Sequence, residues 1–169
     1  MNLNVEKILI IGLGMIGSSI ALASKSKGIK VYGFDKSNSY IKEAFEENII
    51  DSKVESIEDI NSKDFVKKVD LIIVAVPPKQ TLDVLNDLKD IWNTDVTITD
   101  TSSVKNHIKL NGASNIVLSH PIAGSDQSGI SAANGDLFKN KKNVLCDPFN
   151  SKKGHFEKVD NFWKNALQM

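Results

Sequence analysis

The feature that most constrains this chain is a glycine-rich turn between a buried strand and a helix. Residues 7–11 (KILII) are mostly aliphatic, which is typical of a strand buried on both faces. Residues 12–17 (GLGMIG) follow directly, and residues 18–26 are predicted to form a helix that ends at Gly28. In such a turn the first glycine permits the tight bend, the second lets the backbone approach a pyrophosphate, and the third lets the helix pack closely against the strand.

The next strand supplies the acidic residue that this motif requires. A GxGxxG turn alone is weak evidence, and it predicts dinucleotide binding when a second strand ends in an acid about 20 residues further on. Residues 30–34 (KVYGF) form that strand, and Asp35 follows it, in position to accept hydrogen bonds from the adenosine ribose hydroxyls. The helix N-terminus offers unpaired N–H groups and a partial positive charge to the phosphates. We therefore predict a dinucleotide-binding βαβ unit.

Two other interpretations of this segment are weaker. Residues 8–23 could be the apolar core of a signal peptide with a cleavage site at 21–23, but glycines and serines interrupt the core, and Glu6 cancels the charge of Lys7. The segment is also too short and too rich in glycine to span a bilayer. A glycine-rich turn without a ligand is the second alternative, and the ordered series of strand, turn, helix and acid argues against it.

Composition limits the classes of function. A chain of 169 residues is long enough for one domain with a core, and its formal net charge of zero argues against nucleic acid or an anionic membrane as a partner. The single cysteine, Cys146, excludes an internal disulfide and fits a reducing compartment, so we expect a cytoplasmic protein. Cys146 lies in an apolar run and is predicted to be a buried, inert thiol.

All of the basic residues are lysines, and the chain contains no arginine. Arginine is the usual residue for bidentate recognition of carboxylates. If the substrate carries carboxylates, the arginine that binds them must come from outside these residues. The codon bias of a genome would also explain the absence, and the sequence does not separate the two causes.

The remaining segments alternate between strands and helices. The expected strands are residues 69–76, 96–99, 116–118 and 143–146, and the expected helices are residues 39–47, 80–92 and 156–166, with a short helix near Phe65. This alternation predicts an α/β domain of the Rossmann type, a doubly wound and mostly parallel sheet with helices on both faces that occupies residues 1–169. The last helix is not followed by the strand that usually comes next, so we expect a sequence that is cut off.

Ligands bind at the carboxyl ends of strands in open α/β sheets. Three strand ends after the glycine loop therefore concern function: residues 76–78, 100–105 and 119–129 (SHPIAGSDQSG). The first suits contact with a nicotinamide ribose. The third is a polar, glycine-containing loop that a core does not require.

His120 is the candidate for proton chemistry, because an ordinary histidine has a pKa near 6.5 and accepts a proton at neutral pH. A hydroxyl from the neighbouring strand end, Ser103 by preference, would hold its ring in one tautomer. We expect His107 on a surface helix and His155 in a lysine-rich turn, both solvated. The sequence shows no spacing typical of metal ligands and no Gly-x-Ser-x-Gly motif of a hydrolase.

Taken together, these motifs resemble the N-terminal domain of the prephenate dehydrogenases, which belong with the arogenate dehydrogenases of tyrosine biosynthesis. The resemblance rests on residues 12–17 (GLGMIG), 74–78 (VAVPP), Asp100 with 103–105 (SVK), 120–125 (HPIAGS) and 128–129 (SG), and it continues at 132–133, 137–138 and 162–163. The HPIAGS stretch is the most specific part. Ser102 stands where a glycine is common in the family, and residues 126–127 (DQ) stand where Glu-Lys is frequent. These differences bear on the fine specificity of the protein and not on the family resemblance.

The resemblance implies oxidative decarboxylation of prephenate to 4-hydroxyphenylpyruvate, with hydride passing to NAD(P)+. By resemblance, His120 hydrogen-bonds the ring hydroxyl of the substrate and takes its proton, while Ser103 orients the histidine and the substrate. The family also has a helical C-terminal domain that forms the dimer and supplies substrate-binding residues, arginine among them. That domain is absent from these residues, so we expect a nucleotide-binding half of a homodimeric enzyme, which would explain the missing arginine.

The predicted site residues follow from the sequence patterns and from the family resemblance together. His120 and Ser103 are the catalytic candidates, no metal is expected, and the predicted cofactor residues are Gly12, Gly14, Met15, Ile16, Gly17, Asp35, Lys36, Val76, Pro77 and Ser102. The cofactor is predicted to be NAD rather than NADP, because Asp35 would repel a 2′-phosphate, although Lys36 would soften the preference. The substrate is expected to be a small molecule, prephenate or arogenate.

Other functions remain open from the sequence. A β-hydroxyacid or 3-hydroxyacyl dehydrogenase shares the fold and the glycine loop, but has no need of residues 119–129. A non-catalytic NAD-sensing module would leave His120 and Ser103 without a role.

Overall fold

A central parallel sheet organises the computed structural model, which describes residues 5–124 and 126–169. Its strand order is β3-β2-β1-β4-β5. The strands are β1 (Lys7–Ile11), β2 (Lys30–Phe34), β3 (Ser52–Lys53), β4 (Leu71–Val74) and β5 (Thr97–Asp100). The order reverses between β1 and β4, and the crevice outside the carboxyl ends of these two strands is where open α/β sheets bind ligands. The predicted Rossmann-type sheet is confirmed.

Helices follow the strands and cover both faces of the sheet. They are α1 (Met15–Lys25), α2 (Asn38–Glu46), α3 (Ile57–Ile60), α4 (Lys63–Val66), α5 (Pro78–Asp87) and α6 (His155–Asn161), which continues into a π-helical turn at Phe162–Ala166. Short 3₁₀ turns lie at Lys89–Ile91 and Ile130–Ala132. Asn48, with φ of +55°, ends the segment after α2 in the left-handed conformation that asparagine tolerates.

Two apolar cores form because alternate residues of each strand point to opposite faces. On one face Ile8 and Ile10 pack with α1, α2 and the C-terminal helix; on the other, Leu9 and Ile11 pack with α3, α4 and α5. All four side chains are buried. Burial on both faces explains why residues 7–11 form an unbroken aliphatic run rather than an alternating one.

The last two strands depart from the parallel pattern. The strands β6 (Leu118–Pro121) and β7 (Asn143–Cys146) pair antiparallel in a separate two-stranded sheet, with His120 opposite Val144. Among the described residues, the strand pairing of this segment with β5 is limited to an isolated parallel bridge between Ile98 and Ile116. The strand expected at 116–118 therefore differs in its bounds, since β6 covers Leu118–Pro121, and only Ile116 pairs in the parallel direction that the predicted sheet implies. No helix forms in residues 101–117, so this segment supplies no helical crossover of the kind that joins parallel strands.

Three smaller predictions need correction. The helix expected at 80–92 begins at Pro78 and ends at Asp87, and a 3₁₀ turn follows it. Near its end, the Leu85 carbonyl accepts the Trp92 indole N–H at 3.1 Å, so this carbonyl has a partner although the helix stops. The first helix begins at Met15, with Gly14 as its N-cap, rather than at residue 18. Phe156, expected on the apolar face of the last helix, is 39% exposed.

Within the described ranges, no helix combines the length and apolar character needed to cross a bilayer.

Candidate functional site

The glycine loop lies between β1 and α1 and is shaped by two close backbone approaches. Gly12 has φ of +99°, a conformation that side chains rarely adopt, and a Cβ on it would lie 2.6 Å from the Ala75 carbonyl oxygen. A Cβ on Gly17 would collide with the carbonyl oxygen of Gly12. The first and third glycines therefore allow the chain to leave β1 tightly and return against it as a helix.

Gly14 differs from the other two glycines of the loop. A Cβ added to it would meet no atom within 4 Å, so its small size is not required by the packing of the protein. Gly14 is also the N-cap of α1, where the first backbone N–H groups have no partner within the helix. The space beside Gly14, together with these N–H groups, fits an anionic ligand that approaches the backbone closely.

Asp35 lies at the end of β2 and is held against the glycine loop. Its carboxylate accepts the N–H of Leu13 at 2.7 Å and the N–H of Ser37 at 2.8 Å. These two bonds use one oxygen each and fix the plane of the carboxylate. The backbone of the loop and the acidic side chain thus form one unit.

A cavity of about 410 Å³ opens in front of this unit. Among its lining residues are six of the predicted cofactor residues: Gly12, Gly14, Asp35, Lys36, Val76 and Pro77. Sequence reasoning missed Tyr40 and Gln80, which also line the cavity; the exposed position of Tyr40 on the amphipathic helix α2 is the signal that was available. The Lys36 Nζ atom lies 3.4 Å from the amide oxygen of Gln80.

The other four predicted cofactor residues do not line this cavity. Met15 and Ile16 form the first turn of α1 and are half-buried, and Gly17 is buried against Gly12. Ser102 is 3% exposed, and its hydroxyl donates to the Val104 carbonyl at 3.0 Å. Ser102 therefore shapes the loop after β5.

A second apolar cavity, of about 650 Å³, adjoins the first at the carboxyl ends of the strands. Its lining residues are Pro77, Pro78, Lys79, Gln80, Val104 and His107. Pro77 and Gln80 line both cavities, so the two spaces form neighbouring parts of one crevice. Val104 is 49% exposed, which leaves an apolar surface open at this end of the sheet.

The two catalytic candidates lie on different segments. His120 is half-buried on β6, and Ser103 is exposed in the loop after β5. In the part of the chain that the structure describes, no hydrogen bond joins them, so the predicted orientation of His120 by Ser103 is not made directly here. Ser125, the last residue of the HPIAGS motif, lies outside the described residues.

A buried ion pair instead connects the two segments. The Lys105 ammonium donates to both carboxylate oxygens of Asp100, at 2.7 and 2.5 Å, and to the Ser119 carbonyl at 2.7 Å. Burial raises the pKa of the Asp100 carboxyl and lowers the pKa of the Lys105 ammonium, while the ion pair opposes each shift. The sequence predicted a polar strand end at residues 100–105, but not that Asp100 and Lys105 bind each other.

The other histidines and the cysteine differ from expectation. His155 is only 8% exposed, and its Nδ1 atom lies 2.7 Å from the Thr97 hydroxyl, so the prediction that it is solvated was wrong. His107 is half-buried outside any helix, with Nε2 3.2 Å from the Pro78 carbonyl oxygen. Cys146 is a free thiol that is half-buried rather than fully buried. No group of three metal-ligating side chains occurs among residues 5–124 and 126–169.

Comparison with known proteins identifies a family and several relatives that this chain matches. The sequence model described as the prephenate dehydrogenase nucleotide-binding domain matches residues 20–167. The chain is 38% identical over 156 residues to the prephenate dehydrogenase of Lactococcus lactis subsp. cremoris, and 34% identical over 175 residues to that of Bacillus subtilis. These alignments cover 84% and 98% of this chain but only 41% and 46% of the relatives, so the chain spans less than half of their length.

A solved structure has the same fold. The crystal structure of prephenate dehydrogenase from A. aeolicus, in complex with hydroxyphenyl propionate and NAD+, superimposes with a TM-score of 0.85 at 28% sequence identity. The match covers 98% of this chain and 59% of that one.

Proposed function

The chain belongs to the family of prephenate dehydrogenase nucleotide-binding domains, and we therefore propose that it holds the cofactor for the oxidative decarboxylation of prephenate to 4-hydroxyphenylpyruvate in tyrosine biosynthesis. The observation that carries this proposal is the unit made by the glycine loop and Asp35, which faces a cavity of about 410 Å³. The relatives named above support the reaction, and a complex of one of them contains NAD+.

The residues around the cavity fit a dinucleotide. Gly14 leaves open space beside the N-terminus of α1, which suits a pyrophosphate. Asp35 lies at the end of β2, where a carboxylate accepts hydrogen bonds from ribose hydroxyls. The apolar side chains of Val76 and Pro77 line the same space. A bound nicotinamide would supply the hydride acceptor of the reaction.

We propose a preference for NAD+ over NADP+. The Asp35 carboxylate is a negative charge fixed by Leu13 and Ser37 at the place expected for the adenosine ribose, where it would repel a 2′-phosphate. The chain has no arginine to neutralise that phosphate, and Lys36 is the basic residue of the cavity lining.

His120 is proposed as the proton acceptor. Loss of hydride from the carbon that bears the substrate hydroxyl leaves a developing carbonyl, and the hydroxyl proton must pass to a base. His120 lies on β6 and is only half-buried, so part of its side chain is accessible to a substrate. Ser103 is proposed to contact the substrate, because its exposed hydroxyl has no partner among the described residues.

The substrate carboxylates require charges from elsewhere. The chain has no arginine, and the three donors of the Lys105 ammonium are already used by Asp100 and Ser119. We propose that a helical C-terminal domain, of the kind that the family resemblance implies, supplies these charges, forms a homodimer and covers the apolar surface around Val104. We propose a cytoplasmic location, since a sequence with a single cysteine forms no internal disulfide and suits a reducing compartment.

Residues 1–169 alone should bind NAD+ and fail to oxidise prephenate. Calorimetry with NAD+ measures the first property, and absorbance of NADH measures the second, with the chain alone and with the C-terminal portion of a relative such as the Bacillus subtilis enzyme added. An absence of NAD+ binding would overturn the proposed function. Appreciable formation of NADH by the chain alone would refute the need for a second domain.

A further inference from the structure

The Asp100 carboxylate is the centre of a hydrogen-bond network that the proposed chemistry has not used. It is fully buried at the end of β5 and accepts the two bonds from Lys105 described above. It also accepts the N–H of Ser102 and the N–H of Ser119, each at 3.0 Å. One side chain therefore fixes the start of the loop that carries Ser103 and the strand that carries His120.

Ser119, the residue before His120, has every polar group held by this network. Its N–H donates to the Asp100 carboxylate, its carbonyl accepts from Lys105, and its hydroxyl donates to the Asp100 carbonyl at 2.5 Å. The hydroxyl also accepts from Thr99 at 3.0 Å. Because the Ser119 carbonyl belongs to the peptide bond that it shares with His120, these contacts hold that peptide from the side of β5, while β7 pairs with the strand on its other side.

On the side of β5, the described residues form no continuous ladder of backbone hydrogen bonds to the strand that carries His120. The sheet ends at β5, and the isolated bridge between Ile98 and Ile116 lies well before His120 in the chain. On its other side, β6 pairs with β7, whose Val144 is 49% exposed opposite His120. The Asp100 network is thus the specific connection between the end of β5 and the histidine strand.

A buried ion pair of this kind is a poor device for stability alone. Removing two charges from water costs as much as or more than their attraction returns, and an apolar pair of similar volume often serves equally well. The geometry of a fully satisfied pair is nevertheless specific, since the ammonium has three donors and all three are directed at fixed acceptors. Lys105 therefore has no donor left for a substrate carboxylate.

We propose that Asp100 and Lys105 are positioning residues, which hold the Ser119–His120 peptide and the turn before Ser103 so that the His120 ring faces the substrate in one orientation. This inference rests on the proposed function, because it takes His120 as the proton acceptor. Neither residue is expected to touch substrate or cofactor.

The test compares two neutralised ion pairs. The double variant Asp100→Asn/Lys105→Met removes the ion pair without leaving an unpaired buried charge. Lys25→Met/Asp51→Asn is the control, because it removes a different ion pair, at 2.9 Å, which joins α1 to the residue before β3. The chain has three histidines, so the ring signals of a histidine-labelled sample are few, and substitution of His120 assigns one of them. Urea unfolding and NAD+ titration accompany each spectrum.

In the wild type and the control we expect one sharp ring signal from His120. In Asp100→Asn/Lys105→Met that signal should shift and broaden, while NAD+ affinity and the His155 signal stay unchanged. With a C-terminal domain added, turnover should fall about 10- to 100-fold without a matching change in KM, since misplacement of a reacting group by about 1 Å has costs of this size. The single variant Lys105→Arg, which keeps the charge and the donors, should retain much of the wild-type turnover.

An unchanged His120 signal and unchanged turnover in Asp100→Asn/Lys105→Met would overturn the inference, as would an equal effect in the control. If that double variant does not fold, Asp100→Asn/Lys105→Gln, which is also neutral and keeps polar groups at both positions, decides the matter by the same two readouts. Failure of the wild type to bind NAD+ would instead refute the proposed function, and the His120 signal would still report whether the pair orients the ring.

Discussion

The carboxylate of Asp35 accepts the backbone N–H of Leu13 at 2.7 Å, so the acidic end of β2 and the glycine loop after β1 are held in one arrangement. The loop residue lies 22 positions before its partner in the sequence. For the proposed cofactor site this contact has a consequence: a dinucleotide with its pyrophosphate at the N-terminus of α1 would meet a carboxylate that is already oriented.

Asp35→Ala should weaken NAD+ binding and reduce the preference over NADP+. Loss of a hydrogen bond to a charged group costs about 1.5–3 kcal/mol, which corresponds to a roughly 10- to 150-fold higher Kd for NAD+. Asp35→Asn is the control, because it retains an acceptor for Leu13 and removes the charge, so it should relax the discrimination while keeping more of the NAD+ affinity. Calorimetric titration with both cofactors measures this, and tighter binding of NADP+ by the wild type would contradict the assignment.

Gly14→Ala and Gly17→Ala should separate cofactor binding from folding. A methyl group on Gly14 meets no protein atom, so this variant should unfold at the wild-type urea concentration but lose NAD+ binding. The same methyl group on Gly17 collides with the Gly12 carbonyl and should destabilise the fold by about 1–3 kcal/mol or more. Full NAD+ affinity in Gly14→Ala would show that the pyrophosphate lies elsewhere.

His120→Asn should leave NAD+ affinity almost unchanged while lowering turnover by about 10²- to 10⁴-fold, the usual contribution of a positioned acid or base. The assay requires the chain together with a C-terminal domain. Ser103→Ala should lose less in the same direction. Wild-type turnover in His120→Asn would exclude His120 as the proton acceptor.

Stability should fall in mild acid because of His155. Burial lowers its pKa below the ordinary value of 6.5, and Lys158 and Lys152 act in the same direction, whereas Asp95 and Asp147 oppose the shift. The unfolded chain therefore binds a proton at a higher pH than the folded chain does, and the free energy of unfolding decreases as pH falls below about 6.5. Urea unfolding between pH 7.5 and about 5 measures the slope.

His155→Gln is the matched variant for this slope, since it fills a similar volume without titrating. The difference in unfolding free energy between wild type and His155→Gln should narrow as the pH is lowered, because only the wild type pays the cost of protonating the buried ring. A pH-independent difference would assign the acid sensitivity to another group.

Local patterns were sufficient for most of the fold. The aliphatic run at 7–11, the glycine turn and Asp35 predicted three consecutive parts of the βαβ unit, because strand burial, turn geometry and helix initiation each depend on neighbouring residues. The bounds and the antiparallel partner of the strand expected at 116–118 were not predicted, for the opposite reason. Its pairing partner, β7, lies more than 20 residues away, and the alternation of strands and helices does not specify direction.

The histidines show where local reasoning ends. His155 is surrounded by lysines in the sequence and was expected to be solvated, yet the start of α6 packs its ring against Thr97, 58 residues earlier. The same limit applies to Lys105, whose partners Asp100 and Ser119 belong to different strands. A charged residue in a polar segment has the same sequence signature whether it faces solvent or a buried acid.

The sequence by itself determined the Rossmann-type sheet, the glycine loop with its acidic partner, and the family, because each depends on residue types at fixed short spacings. The tertiary structure alone decided that β6 and β7 leave the parallel sheet, that Lys105 binds Asp100 rather than facing a ligand, and that the pair reaches the peptide before His120. These outcomes depend on which groups meet after the chain folds, where burial makes an unpaired charge costly and so selects its partner.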